Sequence, residues 1–525
     1  MSPTPRSGKT RLPRGAQKRR REGGSAGQET GDARRHTLLE AERGTIFKDA
    51  PFRIALAYPL PYHAAMSSLG YQVVYRMLNS RSGISCERVV LPDDVPAARA
   101  RGERLVSLES GRPLDDFDLV AVSMTWDLDI LGLFDLMSLG GIPFRREDRS
   151  AWHPGVLIGG PLTASNPLPL SDFIDFAVIG DGEAAIPKLL DALEDATDRD
   201  DLLDRIGVTP GVWIPERDGD KVPPTQKVTV GLPAVGQIVT PHSELSNMFL
   251  VEASRGCPRF CKFCLVRSPE SPMRESEVDR VMAAIPDWAP RVGFVGAAIS
   301  EWSGIKEAMR RVVESGKGVG ISSLRADRLD AEFVGLLARG GTRTMTVASD
   351  APSQRQRNKM AKGIRTEHLL HAAQLARDAG MLKLKLYVIV GLPDETDADL
   401  DELIAFGKEL SGILPTALGL SPLVPKLHTP LGDAPFAGMA AIDRTLDRLR
   451  QGLDGVAEIR SPSARWAWVE YRMSQGGAEA GRAALAAWRE GGDFRAWERA
   501  MKGLPERPAL DAARRHLLFA PAGMK

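Results

Sequence analysis

The stretch Met248-Phe249-Leu250-Val251-Glu252-Ala253-Ser254-Arg255-Gly256-Cys257-Pro258-Arg259-Phe260-Cys261-Lys262-Phe263-Cys264 decides how the chain is read. Its first six residues are a short, largely apolar, β-compatible run bounded by small and polar residues, which predicts a buried strand. The loop that follows carries three cysteines in a C-x3-C-x2-C spacing. Soft thiolates so close together favour zinc or an iron-sulfur cluster. Structural zinc takes four protein ligands, but the only other cysteine is Cys86 and no histidine occurs between His242 and His368. A 4Fe-4S cube held by Cys257, Cys261 and Cys264 instead leaves one iron open to a non-protein ligand, which implies chemistry as well as electron transfer.

Working outward, further strand candidates follow at Val292 to Ile299, Val319 to Ser323, Thr342 to Ala348, Leu382 to Val390 and Ala417 to Val424, separated by helical stretches. With Met248 to Ala253 they make six βα units, which fit an incomplete barrel with its chemistry at the strand carboxyl ends. Upstream, Arg53 to Tyr58, Cys86 to Leu91, Leu119 to Thr125, Gly155 to Gly159 and Phe173 to Ile179 predict a Rossmann-like parallel sheet. Its strand ends carry Pro59-Leu60-Pro61, Ser123-Met124-Thr125, Gly159-Gly160-Pro161 and Gly180-Asp181-Gly182-Glu183, where a ligand gains close backbone access. The expected fold class is α/β: an N-terminal Rossmann-like parallel sheet domain, a partial (βα)6 TIM-type barrel, and a helical C-terminal extension. The expected boundaries are a disordered basic tail over 1–48, the Rossmann-like domain over 49–200, a connector over 201–245, the barrel over 246–442 and the extension over 443–525.

The chain has 525 residues with 43% hydrophobic content, enough for several domain cores. Four cysteines are too few and too bunched for a disulfide framework and indicate a reducing compartment. No run approaches the ~20 apolar residues of a membrane helix, and no apolar segment follows the basic N-terminus, so a cytoplasmic protein without membrane association is expected. Ten of the 69 Lys and Arg fall in residues 1–36 with only three of the 68 Asp and Glu, so the body is mildly acidic. The run Lys18-Arg19-Arg20-Arg21 reads as a solvated arm more often than as a polyanion contact, so nucleic acid is not the expected partner. Ser7-Gly8-Lys9-Thr10 lacks the glycine, strand and helix of a phosphate loop. Trp466, Trp468, Trp488 and Trp497 in the extension either pack on the open side of the barrel or line a substrate pocket.

The cysteine spacing, with Phe263 before the third Cys, resembles the radical S-adenosylmethionine (SAM) superfamily. Ser68-Leu69-Gly70-Tyr71-Gln72, Gly180-Asp181-Gly182-Glu183, Val295-Gly296-Ala297-Ala298, Ser322-Ser323-Leu324-Arg325-Ala326-Asp327-Arg328-Leu329, Gly391-Leu392-Pro393-Asp394-Glu395-Thr396 and Val424-Pro425-Lys426-Leu427-His428-Thr429-Pro430 are similar to the branch with a cobalamin-binding-type domain. The resemblance implies a 4Fe-4S cluster, SAM and cobalamin as cofactors, and reductive cleavage of SAM to a 5′-deoxyadenosyl radical. It also implies a flavodoxin- or ferredoxin-like electron donor and a small-molecule or peptide substrate. By position, Cys257, Cys261 and Cys264 would ligate the cluster and Phe263 would lie near adenine. Gly296, Ala297 and Ala298 would receive the methionyl amine through their carbonyls, although the family glutamate is absent there. Ser323 and Arg325 close the third strand. Arg325 pairs either with the SAM carboxylate or with Asp327 or another acid. Asp350 would hold the ribose hydroxyls, and Gly391 would approach adenine or serve packing.

In the N-terminal domain, Ser123, Gly159 and Gly160 are compatible with cobalamin. The D-x-H-x-x-G element of an axial histidine is missing, since the loop reads Pro61-Tyr62-His63-Ala64-Ala65-Met66. Two enzymatic readings stand: cobalamin-dependent methyl transfer to an unactivated carbon, or a cobalamin-independent oxidation or rearrangement. A non-catalytic iron-sulfur or nucleic-acid-binding protein is the rival from another class. Methylthiotransferases and auxiliary-cluster enzymes need cysteines this chain lacks. No residue is singled out as a catalytic acid, base or nucleophile.

Overall fold

The computed structural model describes residues 25–228, 231–268 and 270–505. The first 24 residues, with the basic run and the Ser7 to Thr10 string, lie outside the described residues. The described residues form two compact units: one takes those of 25–228, 240–246 and 477–496, the other those of 231–239, 247–476 and 497–505.

The first unit is built on strands β1 (Phe52–Pro61), β2 (Ile84–Leu91), β3 (Leu119–Ser123), β4 (Gly155–Gly159), β5 (Phe176–Val178) and β6 (Val212–Trp213), in sheet order β2-β1-β3-β4-β5-β6. The first five run parallel, and β6 is antiparallel to β5. Ile54 to Tyr58 is buried throughout, as expected for a strand covered on both faces. The helices Leu69–Leu78, Asp129–Gly140 and Gly182–Asp195 belong to this unit.

Two expectations are corrected here. The tail assigned to 1–48 is helical over Ser25–Glu40, and its distal part is tied down. Arg35 donates to the carbonyl of Leu108 at 3.0 Å, and the Glu42 carboxylate takes both terminal nitrogens of Arg88 at 2.7 Å. Arg88 is fully buried and also binds Glu109, at 2.6 Å through Nε. Its charge can stay in the interior only with such partners, so the segment after the helix is ordered by an ion pair that composition does not reveal. The connector over 201–245 is likewise not separate. Fully buried Trp213 extends the sheet, and Gln226 pairs with Gly180, whose φ of +107 brings its backbone against the Gln226 carbonyl.

The second unit contains β7 (Ala234–Val235), β8 (Met248–Glu252), the two-residue pair β9 (Ser254–Arg255) and β10 (Arg274–Glu275), then β11 (Arg291–Val295), β12 (Gly318–Ile321), β13 (Thr344–Ala348), β14 (Lys383–Val390), β15 (Thr416–Pro422) and β16 (Glu458–Arg460). Strands β8, β11 and β12 are parallel neighbours, as are β13, β14, β15 and β16, and a parallel bridge from Leu324 to Val347 joins the two sets. One core runs along the helix side of these strands, holding Val251, Phe294, Val319, Val347, Leu386 and Leu418. The opposite side is different: Thr346, Lys385, Ile389 and Gly419 are half-buried and Tyr387 is 37% exposed. In β13 and β14 period-2 alternation thus gives one packed and one wet face.

The C-terminal tryptophans divide. Trp488 belongs to the first unit, where its ring meets Phe144 at 5.1 Å and its Nε1 donates to Asp135 at 2.8 Å. Trp497 is fully buried in the second. Among the described residues no helix is long and apolar enough to cross a membrane.

Candidate active site

The cysteine loop leaves the carboxyl end of β8 through the β9–β10 pair. Gly256 adopts φ +85, and a Cβ there would come within 2.3 Å of the Pro272 carbonyl oxygen, so the turn needs glycine. Backbone bonds fix the loop: Cys257 N–H to the Ser271 carbonyl at 2.9 Å, Lys262 N–H to Met360 at 3.1 Å, and Leu431 N–H to Lys262 at 3.2 Å. Cys261 is buried, and Cys257 and Cys264 are half-buried. Burial raises the Cys261 thiol despite Lys362 and Arg325 nearby, and pushes Cys264 up to about 11. Such thiols ionise on binding a metal rather than beforehand.

Among the described residues no three His, Cys, Asp or Glu side chains converge on a single metal ion. A cube takes each thiolate on a different iron, so the three sulfurs need not meet. Three soft donors on one backbone-bonded loop, with no carboxylate or imidazole among them, fit that group.

Around the loop lies an ion-pair network that sequence reasoning missed. Arg259, between the first two cysteines, binds Glu301 through two bonds of 2.5 and 2.9 Å. The Glu301 side chain is only 5% exposed and also takes Arg325 Nε at 3.0 Å and Arg328 at 3.3 Å. Arg325 is itself buried, forks onto Asp327 at 3.0 and 3.1 Å, and donates to the Lys362 carbonyl at 3.1 Å. Lys362 in turn pairs with Asp350. Of the two roles weighed for Arg325, the structure shows the acid pairing. A basic residue inside the cysteine spacing was the one available signal, but its partner is set by which strand ends meet.

The remaining expected positions are placed as follows. A Cβ on half-buried Gly296 would lie 2.8 Å from both the carbonyl oxygen and Oγ of Ser254. That Oγ is buried and has no hydrogen-bond partner among the described residues. Ala297 and Ser323 are exposed, and Ala298 is buried with its carbonyl accepting from Glu301 N–H at 2.8 Å. Asp350 has φ +56, a left-handed conformation that Asp tolerates. Phe263 packs with Ala351, Met360, Ile389, Leu392, Leu423 and Leu431 into a small apolar cluster at the strand carboxyl ends. Gly391, at φ +72, adjoins it, and its N–H is held by the half-buried Glu395 carboxylate at 3.0 Å, a second residue whose role sequence reasoning missed. An apolar cluster beside an exposed backbone turn suits a flat heteroaromatic ring.

In the first unit, Ser123 and Gly159 are register partners, and Met124 N–H donates to the Gly159 carbonyl at 2.8 Å. Gly160 has φ +104, and a Cβ there would strike the Met124 carbonyl oxygen at 2.4 Å, whereas one on Gly159 would meet open space. Leu60 and Trp126, 40% and 47% exposed, stand on this same carboxyl edge. A glycine floor with apolar flanks suits a large planar ligand. His63 lies 3.9 Å from Asp93 and 3.7 Å from Glu244.

Comparison with known proteins agrees with this geometry. Residues 251–407 match the Radical SAM superfamily, and residues 70–215 match Radical SAM proteins, N-terminal. The chain is a radical SAM protein, and an enzyme. An uncharacterized protein of Methanocaldococcus jannaschii is 27% identical over 66% of this chain and 76% of its own length. An uncharacterized methyltransferase of Pyrococcus horikoshii is 24% identical over 49% of this chain and 58% of its own length. Among solved structures, the radical S-adenosylmethionine methyltransferase TsrM from Kitasatospora setae, with cobalamin and a 4Fe-4S cluster bound, shares the fold. Its TM-score is 0.52 at 15% identity, covering 86% of this chain and 99% of that one. The cobalamin-dependent S-adenosylmethionine radical enzyme OxsB, with aqua-cobalamin bound, gives 0.50 at 14% identity, covering 77% and 56%.

Proposed function

We propose that this protein is a cobalamin-dependent radical SAM methyltransferase acting on an unactivated carbon, with a Rossmann-like corrin domain, a partial (βα)6 barrel and a C-terminal helical extension. The observation that carries the reading is the three-cysteine loop at the carboxyl end of β8, heading a parallel series of six strands, β8 and β11 to β15, with the three-residue β16 added as a seventh. The glycine-floored edge of the first unit and its likeness in fold to TsrM support the corrin assignment.

When bound, the cluster and SAM supply reductive cleavage of SAM, and the corrin supplies methyl transfer. Cys257, Cys261 and Cys264 hold the cluster. Arg259 and Glu301 fix the loop that carries them. Phe263 and the apolar residues beside Gly391 would receive adenine, and Asp350, paired with Lys362, would take the ribose hydroxyls. Gly159 and Gly160 admit the corrin next to Ser123.

The test is anaerobic. Protein reconstituted with iron and sulfide, incubated with hydroxocobalamin and desalted, should retain both cluster and corrin absorption and form 5′-deoxyadenosine from SAM under reduction. Cys261→Ala should abolish that product, and its persistence would sink the radical SAM assignment. Retained cluster without corrin would leave an oxidation or rearrangement in place of methyl transfer.

A further inference from the structure

The wet face of β13–β15 is the inner surface of the second unit, and its chemistry is uneven. Register places Thr346, Lys385 and Ala417 side by side, with Ala348, Tyr387 and Gly419 in the next row toward the strand carboxyl ends. The row beyond holds Ile389 and Ser421, and Ile389 already belongs to the apolar cluster around Phe263. Two residues of strand advance about 6.6 Å, so Lys385 lies roughly 13 Å below the Ile389 row, at the foot of this face.

The two charged residues on β13–β15 are Lys383 and Lys385, and Lys383 pairs with Glu458. Lys385 differs. Among the described residues it has no carboxylate within ion-pair range, and its ammonium rests 4.8 Å from the Tyr387 ring centroid. Tyr387 in turn covers Gly419, where a Cβ would come within 2.7 Å of its ring. The small residues Ala348 and Gly419 on either side leave that ring accessible. Lys385, a half-buried residue of the inner face, thus presents an ammonium with only a π-face beside it, a cation placed to take an anionic group.

We propose that the substrate carries an oxyanion, carboxylate or phosphate, that Lys385 holds at the foot of the inner face, with Tyr387 flanking the body of the molecule and the reacting carbon toward the Phe263 cluster. Lys385 is thereby a specificity-determining residue. The inference rests on the proposed function, which supplies the direction of the chemistry.

Pyridoxal 5′-phosphate tests it in the full-length reconstituted protein. Its phosphate seeks cation sites, and its aldehyde condenses with a lysine amine, losing water, to an imine that borohydride reduces to a stable amine. Peptide mass spectrometry should show Lys385 modified about tenfold faster than ion-paired Lys383, as expected where a local field concentrates anions. Inorganic phosphate and succinate, each as competitor, should slow the modification; protection by one alone would assign phosphate or carboxylate. Modification no faster than at Lys383, or unaltered by both anions, overturns the inference. Labelling needs neither SAM cleavage nor corrin. Selective, protectable labelling in protein that forms no 5′-deoxyadenosine would therefore overturn the functional reading alone.

Discussion

Glu301 shows how one carboxylate can govern the site without a place in any recognisable motif. Three arginines from two parts of the chain converge on it, one of them inside the cysteine spacing. Removing one member of a buried ion-pair group leaves the others uncompensated, at a cost of about 3 kcal/mol or more. Glu301→Gln should therefore loosen the loop through Arg259, and reconstituted protein should hold less iron and sulfide per chain. Equal metal content in variant and parent would remove Glu301 from the cluster site. The cysteines were legible because their meaning lies in local spacing. Glu301 was not, because its partners are 42 residues earlier and 24 and 27 residues later. Arg325 could be placed at the third strand end from sequence, but its choice between a ligand carboxylate and Asp327 depends on packing.

At the scale of elements, strands declared themselves where an apolar run was long enough to be buried on at least one face. The two-residue strands β6 and β7 and the three-residue β16 carry too few residues for a pattern. They form because neighbouring strands offer unpaired edges. The helix Asp397–Ile413 begins with Thr396, whose N–H and hydroxyl both reach Asp399 Oδ2, at 2.8 and 2.9 Å, while Arg355 and Ser353 bind the other oxygen. Burial acts to raise the Asp399 pKa, but these partners outweigh it and hold the carboxyl well below its ordinary 3.8. A depressed carboxylate contributes stability that is complete above its unfolded-state pKa and is lost as pH falls below it toward the folded value. Asp399→Asn should lower the urea midpoint near neutrality and flatten its decline from about pH 4 downward. Parallel pH profiles for variant and parent would assign the acid sensitivity elsewhere.

At the scale of the whole molecule, chain order and structural units part company at the C-terminus. Sequence reading made residues 443–525 one helical extension whose tryptophans either pack on the open side of the barrel or line a substrate pocket, because nothing local distinguishes an amphipathic helix packed on one core from the same helix packed on another. The helix Ala478–Arg489 belongs instead to the first unit. Ala480, Gly481, Ala483, Ala484 and Ala487 are buried, and Gly481 lies so close to Pro169 that a Cβ would overlap its carbonyl oxygen at 1.7 Å. Trp488 completes the contact, packed on Phe134 and Phe144 at 6.2 and 5.1 Å with the Arg99 guanidinium 4.2 Å from its ring centroid. A fragment of residues 25–246 therefore contains the whole first sheet but lacks part of the first unit's core. It should melt below the corresponding transition of the intact chain and bind a hydrophobic dye, and a synthetic peptide of residues 477–496 should reverse both effects. In the full chain, Trp488→Ala should destabilise the same transition by about 2 kcal/mol, less than the usual cost of deleting a fully buried aromatic because Trp488 is half-buried. A fragment that melts like the intact unit without the peptide would show that the helix decorates the first unit rather than completing it.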